Sequence, residues 1–229
     1  MRHTTIAIAL VFCAAVSTAS EAWVPLFNGT NLDGWESVGD GVWTVLNDGT
    51  LVGQRNPKNL SMLKPWPGSL DAFHVWLYTQ AWLYTKQEFT EYDLRLDYWA
   101  RRGGNSGVSI RDPSRAKHAV TYPPEFTRTP SRIGYEIQIS NQYDDGYPTG
   151  SIYLFAKAKP GVQIDDQWNT LEIESRQDRI RVKVNGQVVA EHPGDPARPK
   201  AGPVGLQLHD QFSVMMFRNI RIREVGGGK

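Results

Sequence analysis

The clearest pattern along this chain is an alternation of apolar and polar residues, which places every second side chain on the same face of a strand. The run G-Y-E-I-Q-I-S at 134–140 sets Glu136 and Gln138 on one face and its large apolar residues on the other. The runs N-S-G-V-S-I-R at 105–111 and V-G-L-Q-L-H at 204–209 are built in the same way. We predict that the three strands lie in one sheet and contribute to one site.

The rest of the chain beyond residue 22 also favours β-structure. Short alternating segments are separated by turns, with 21 Gly and 14 Pro as breaks, and no long stretch has apolar residues at helical spacing. Asn185-Gly186 between two alternating runs indicates a β-hairpin. About a dozen such strands predict an all-β, two-sheet antiparallel sandwich. Its predicted core includes Tyr135, Ile137, Ile139, Ile173, Val182, Leu206 and Leu208.

Two stretches, 55–81 and 112–132, are too rich in proline to be regular strands. Long loops in a compact domain are often functional. The first therefore either walls one side of a site or covers a sheet edge, and the sequence leaves both open.

The start of the chain differs from the rest. Arg2 and His3 precede an apolar run at 6–16, and small residues follow up to Ala22. This predicts a signal peptide at 1–22, a single β-domain at 23–225, a flexible tail at 226–229, and a protein exported to the periplasm or secreted. The later chain contains no run of the roughly 20 apolar residues that a membrane-spanning helix needs.

Charge and cysteine content exclude other classes. With 25 basic and 24 acidic residues the formal charge is +1, so bulk charge does not recruit nucleic acid. The one cysteine, Cys13, lies within the predicted signal peptide. The mature chain is therefore expected to form no disulfide and to use no thiol chemistry.

Taken in order, several motifs resemble the 3-keto-disaccharide hydrolase family. They are L-F-N-G-T-N-L-D-G-W, G-G-N-S-G-V-S-I-R, G-Y-E-I-Q-I, W-N-T-L-E-I, V-K-V-N-G and G-P-V-G-L-Q-L-H. The resemblance implies a concanavalin A-like jelly roll, bacterial export, and action on glycosides whose sugar carries a ketone at carbon 3. Two departures are that Asp210 and Gln211, rather than glycine, follow His209, and that the 57–81 segment is longer than usual.

Two candidate catalytic residues follow. Glu136 lies in an otherwise neutral strand face, where an ionised carboxylate needs solvent, a partner or a metal. It is either a general base or metal ligand, or the partner of Arg111 or Arg132 in a salt bridge. His209 either shuttles a proton near neutral pH or is bonded to Asp210 at a sheet edge.

A third catalytic candidate, Arg111, ends its strand, where a guanidinium can stabilise an enolate. Its alternative role is an ion pair with Asp97 or Glu136. The candidate substrate-binding residues are Asn105, Gln138, Gln207, Tyr153 and Asp97. Weaker candidates for stacking on a sugar are Trp66, Trp76 and Trp82, because most tryptophans of such a sandwich are core.

Two other arrangements of acidic residues are weaker candidates for a site. Glu172 and Glu174 resemble a glycosidase pair, but Arg181 and Lys183 on the next strand are natural counter-charges, which predicts a solvated outer face. No spacing indicates a metal site; a divalent cation held by separate loops, for instance by Asp144, Asp145 or Asp210, stays open.

The predicted function is cleavage of 3-keto-glycosides by proton abstraction at carbon 2, with net hydrolysis or lyase chemistry. The expected partner is an oligosaccharide or glycoside, while the oligomeric state is left undetermined. The alternative is a lectin-like module that binds carbohydrate on the same sheet without changing it.

Overall fold

The computed structural model describes residues 22–56, 79–121, 124–141, 146–210 and 213–225. Within them the chain forms two antiparallel sheets and very little helix. The strands are β1 (Val24–Pro25), β2 (Trp35–Val38), β3 (Gly41–Val45), β4 (Leu51–Arg55), β5 (Ala81–Thr85), β6 (Tyr92–Ala100), β7 (Asn105–Ile110), β8 (Tyr135–Ser140), β9 (Trp168–Arg176), β10 (Arg179–Val184), β11 (Gln187–His192), β12 (Val204–Leu208) and β13 (Met215–Glu224). A 3₁₀ turn (Phe126–Arg128) and the one-turn helix α1 (Pro130–Ile133) precede β8.

The eight-stranded sheet has the order β11-β10-β9-β6-β13-β4-β3, with β1 paired to β13. The five-stranded sheet has the order β2-β5-β12-β7-β8. The three strands predicted to share a sheet, β7, β8 and β12, are therefore neighbours, which confirms that prediction. The all-β sandwich is confirmed as well.

The core lies between the sheets and is built by the alternating pattern. All seven residues predicted to be buried have at most 1% of their surface exposed. The hairpin between β10 and β11 turns at Asn185 and Gly186, which both have positive φ (50° and 78°) as a tight two-residue turn requires. Glu174 pairs with Arg181 at 3.5 Å and with Lys183 at 3.1 Å, so the counter-charges predicted on the next strand are in place.

No helix among the described residues is long and apolar enough to cross a membrane. Residues 1–21 of the predicted signal peptide at 1–22, the tail at 226–229 and most of the 55–81 loop, with Trp66 and Trp76, lie outside the described residues.

Candidate functional site

A pocket of about 170 Å³ opens on the outer face of the five-stranded sheet, the face directed away from the other sheet. Its floor comes from β7, β8 and the end of β12, and its wall from the segment at 126–132. The lining residues are Gln80, Asn105, Phe126, Thr129, Ser131, Arg132, Glu136, Gln138, Tyr153 and His209. Five of the eight residues predicted for the site therefore meet in one pocket.

Glu136 occupies the middle of β8, opposite Ser109 on β7, and is only 5% exposed. Its side chain lies across Gly107, because a Cβ at position 107 would stand 2.8 Å from Oε1 and 3.0 Å from Cγ of Glu136. Gly107 thus leaves the space that the carboxylate fills. A buried carboxylate at a pocket floor is a candidate proton acceptor.

Strand β8 is held on both sides. One edge pairs with β7 along its whole length. On the other edge, the Gln138 amide donates to the Ser151 carbonyl at 2.9 Å, and the Tyr153 amide donates to the Glu136 carbonyl at 2.9 Å. Glu136 and Gln138 therefore project from a rigid strand, which favours a preorganised site.

Several buried polar atoms around the pocket have no hydrogen-bond partner in the described part of the chain. They are Oδ1 of Asn105, Oε1 and Nε2 of Gln207 and Nδ1 of His209. Leaving a buried polar group unpaired costs about 1–3 kcal/mol, so such groups are rare in folded proteins. Asn105 and His209 line the pocket, so bound water or ligand there can supply the partners that these two residues lack.

His209 stands at the mouth of the pocket, with its side chain 31% exposed. Its Nδ1 is 3.6 Å from Oδ2 of Asp210, which is too far for a hydrogen bond and gives an ion pair only when the imidazole is protonated. Asp210 therefore does not fix the ring in one tautomer, and His209 lines the pocket as a candidate proton donor.

Arg111 is not in the pocket. It follows β7 with φ of 59°, is completely buried, and reaches the eight-stranded sheet, where Nε and Nη2 donate to Oγ of Ser175 at 3.1 and 2.9 Å. Nη2 also donates to the Arg176 carbonyl. Burial lowers the pKa of Arg111. These contacts make it a bridge between the sheets.

Two further predicted residues lie elsewhere. Asp97 is on β6 of the other sheet, where it accepts hydrogen bonds from Thr170 at 2.9 Å and Asn219 at 2.7 Å. Gln207 is on β12 beside the site but is fully buried and does not line the pocket. Asp97, predicted as a substrate-binding residue, therefore lies on the other sheet and outside the pocket.

The pocket wall at 126–132 was not predicted. Arg198 anchors it, because Nη1 donates to the carbonyls of Ser131, at 2.8 Å, and of Gly134. Gly134 packs so closely on β7 that a Cβ would lie 2.4 Å from the Ile110 carbonyl oxygen. Arg132, exposed at the rim, is the cation that this wall brings to the pocket. The only signal in the sequence was the irregular 112–132 stretch.

The other half of the same sheet face is filled by the protein itself. Trp82 and Tyr84 on β5 stack with ring centroids 5.6 Å apart, and both are fully buried, together with Ala116 and Ala119. Gly205 accommodates Tyr84, since a Cβ there would stand 2.3 Å from its ring. Trp82 is therefore core rather than a platform for sugar.

Among the described residues there is no group of three or more His, Asp or Glu side chains placed to hold a metal ion. Asp144 and Asp145, suggested as ligands from the sequence, lie outside the described residues.

The chain is similar to a known protein family and to several solved structures. Residues 22–223 match the model of a 3-keto-alpha-glucoside-1,2-lyase-like domain. Two crystal structures of candidate glycosyl hydrolases from Parabacteroides distasonis ATCC 8503 are similar. The first has 25% identity and a TM-score of 0.63, covering 89% of this chain and 100% of the other. The second has 17% identity and a TM-score of 0.62, with coverages of 90% and 95%.

The carbohydrate-binding module CBM66 from Bacillus subtilis shares the fold, at 14% identity and a TM-score of 0.56, over 83% of this chain and 96% of the module. No curated protein sequence matched this chain.

Proposed function

The chain belongs to the 3-keto-alpha-glucoside-1,2-lyase-like domain family and is a carbohydrate-acting protein, and from this premise we propose that it cleaves glycosides whose sugar is oxidised to a ketone at carbon 3. The observation that carries the proposal is the buried carboxylate of Glu136 at the floor of a polar pocket with room for one sugar ring. An exported protein with a single catalytic β-domain at 23–225 is part of the same proposal.

The chemistry needs one base, one group that stabilises negative charge, and one acid. A ketone at carbon 3 acidifies the proton on carbon 2, and Glu136 removes that proton to give an enolate. The enolate electrons then form the double bond between carbons 1 and 2 as the bond from carbon 1 to the departing oxygen breaks. His209 supplies the proton to that oxygen.

Arg132 replaces Arg111 as the proposed partner of the enolate oxygen. Arg132 lines the pocket, whereas Arg111 is occupied by Ser175 and the Arg176 carbonyl. Release of the unsaturated sugar makes the reaction an elimination, and addition of water across the new double bond makes it a net hydrolysis.

The proposal is tested with a 3-keto-α-glucoside and its unoxidised parent. The wild-type protein should convert only the keto sugar, and Glu136→Gln should retain binding and lose turnover by about a hundredfold or more. Glu172→Gln, on the outer face of the other sheet, is the matched control and should keep full turnover. In deuterated water, a hydrolysed sugar must carry deuterium on carbon 2; a product with none there would exclude the enolate route.

A lectin-like binder is the second candidate, favoured by the unpaired polar atoms on the site face and by the fold shared with CBM66. In that case neither sugar would be converted, and Glu136→Gln would leave the affinity for both nearly unchanged.

A further inference from the structure

The pocket has room for one sugar ring but carries aromatic side chains at two positions. Its volume of about 170 Å³ is below the range of about 300–1,000 Å³ typical of sites that enclose larger ligands. Tyr153 and Phe126 are the two aromatic residues in a lining that is otherwise polar. A glycoside that places its oxidised ring inside the pocket must therefore leave its other half at the rim.

Tyr153 belongs to the inner position. Its backbone amide donates a hydrogen bond to the Glu136 carbonyl at 2.9 Å. Its ring packs edge-on against Tyr147, with the ring centroids 5.0 Å apart. A ring that lies next to Tyr153 is therefore also next to the proposed base.

Phe126 belongs to the rim. It is 46% exposed and lies on the 3₁₀ turn, away from the sheet. A single exposed apolar side chain is ordinary on a protein surface. Phe126 is different because the turn that carries it is braced at both ends beside a polar pocket.

Glu125 provides that brace. Its Oε1 lies 3.0 Å from Nδ1 of His118, its Oε2 accepts from Arg128 at 3.2 Å, and its backbone amide donates to the His118 carbonyl at 2.8 Å. The pKa of Glu125 is lowered, mainly by the His118 contact, so the carboxylate stays ionised at neutral pH. The turn that carries Phe126 is thereby held at the pocket mouth.

We propose that Phe126 forms an outer subsite that contacts the leaving group, so that the protein prefers glycosides whose leaving group is a ring with an apolar face over those with a small alkyl group. Aromatic side chains contribute most when they pack against a broad apolar face. This inference rests on the proposed function for the placement of the oxidised ring.

The test compares methyl and cyclohexyl 3-keto-α-glucopyranosides, whose leaving alcohols have similar acidity and differ in apolar face. The wild-type protein should favour the cyclohexyl glycoside in kcat/KM by about tenfold, and Phe126→Ala should bring that ratio close to one. Phe126→Tyr should keep most of the preference. Val188→Ala, an exposed apolar residue on β11 of the other sheet, should leave the ratio unchanged.

The same comparison by calorimetry in the Glu136→Gln background separates this inference from the proposed chemistry. A cyclohexyl preference in binding that Phe126→Ala removes supports the outer subsite even if no sugar is converted. Equal behaviour of the two glycosides in the wild type, or a preference that survives in Phe126→Ala, overturns it. If Phe126→Ala does not fold, Phe126→Gln, which has similar reach and no ring, decides by the same criterion.

Discussion

Replacing Gly107 by alanine tests whether activity depends on the position of the Glu136 carboxylate, while residue 136 itself stays unchanged. The added Cβ would stand 2.8 Å from Oε1 of Glu136 and 3.2 Å from the Ile137 carbonyl oxygen. An ordinary contact needs about 3.5 Å, so the carboxylate must move by about 0.7 Å. A displacement of about 1 Å at a reacting group costs up to about a hundredfold in rate.

The cost in stability should be smaller than the cost in activity. Inserting a methyl group into a packed site destabilises by about 1–3 kcal/mol. Replacing glycine recovers about 0.4–1 kcal/mol through the reduced freedom of the unfolded chain. We expect a net loss of about 0–2.6 kcal/mol and a fall in Tm of a few degrees or more.

The assay is kcat/KM on a 3-keto-α-glucoside beside thermal unfolding, with Gly53→Ala as control. At Gly53, on β4 of the other sheet, a Cβ would meet the Trp43 ring at 2.4 Å, so this variant should lose stability and keep the specific activity of the folded protein. We expect Gly107→Ala to fall about 30- to 100-fold in kcat/KM. A value within twofold of the wild type, in a folded protein, would refute the placement of the reaction at Glu136.

Two further predictions concern stability. Arg111→Met should reduce the free energy of unfolding by about 2–4 kcal/mol, because a buried bridge between the sheets is lost. Its kcat should stay within about threefold of the wild type. A large loss of kcat at unchanged stability would instead show that Arg111 takes part in the reaction. Burial lowers the pKa of His192, with Asp195 opposing and Arg198 reinforcing the shift, and Nδ1 of the ring accepts from the Gly194 amide at 2.9 Å. The folded state therefore disfavours the protonated ring, and stability that is complete above about pH 6.5 should decline as the pH falls below it. Urea unfolding at pH 7 and pH 5 should show this decline, and His192→Asn, which keeps an acceptor, should reduce it; an equal decline in both proteins would contradict the assignment.

The site floor was predictable because it follows from strand periodicity. Glu136 and Gln138 on β8 share a face by their spacing of two, and Asn105 comes to the same face once β7 is their neighbour. The same alternation directs the residues between them into the core. Alternation therefore indicates both the core and the chemical face of a sheet.

Other positions depend on features that have no period. The backbone turns to positive φ at Arg111, which carries its side chain to the opposite sheet. Asp97 faces outward as alternation requires, but the pattern does not say which sheet its strand joins. The wall that carries Phe126 and Arg132 is irregular, and its place depends on the contacts of Arg198 with distant carbonyls.

The stacked pair Trp82 and Tyr84 also bears on how a long carbohydrate would be processed. A cleft that is open across all the strands of a sheet lets a polymer lie through it, so that internal bonds can be cut. Here Trp82 and Tyr84 close the face over β5, and the pocket opens beside them over β7, β8 and the end of β12. Under the proposed function, a glycan would therefore reach Glu136 end first, which favours removal of single terminal units over cleavage of internal bonds.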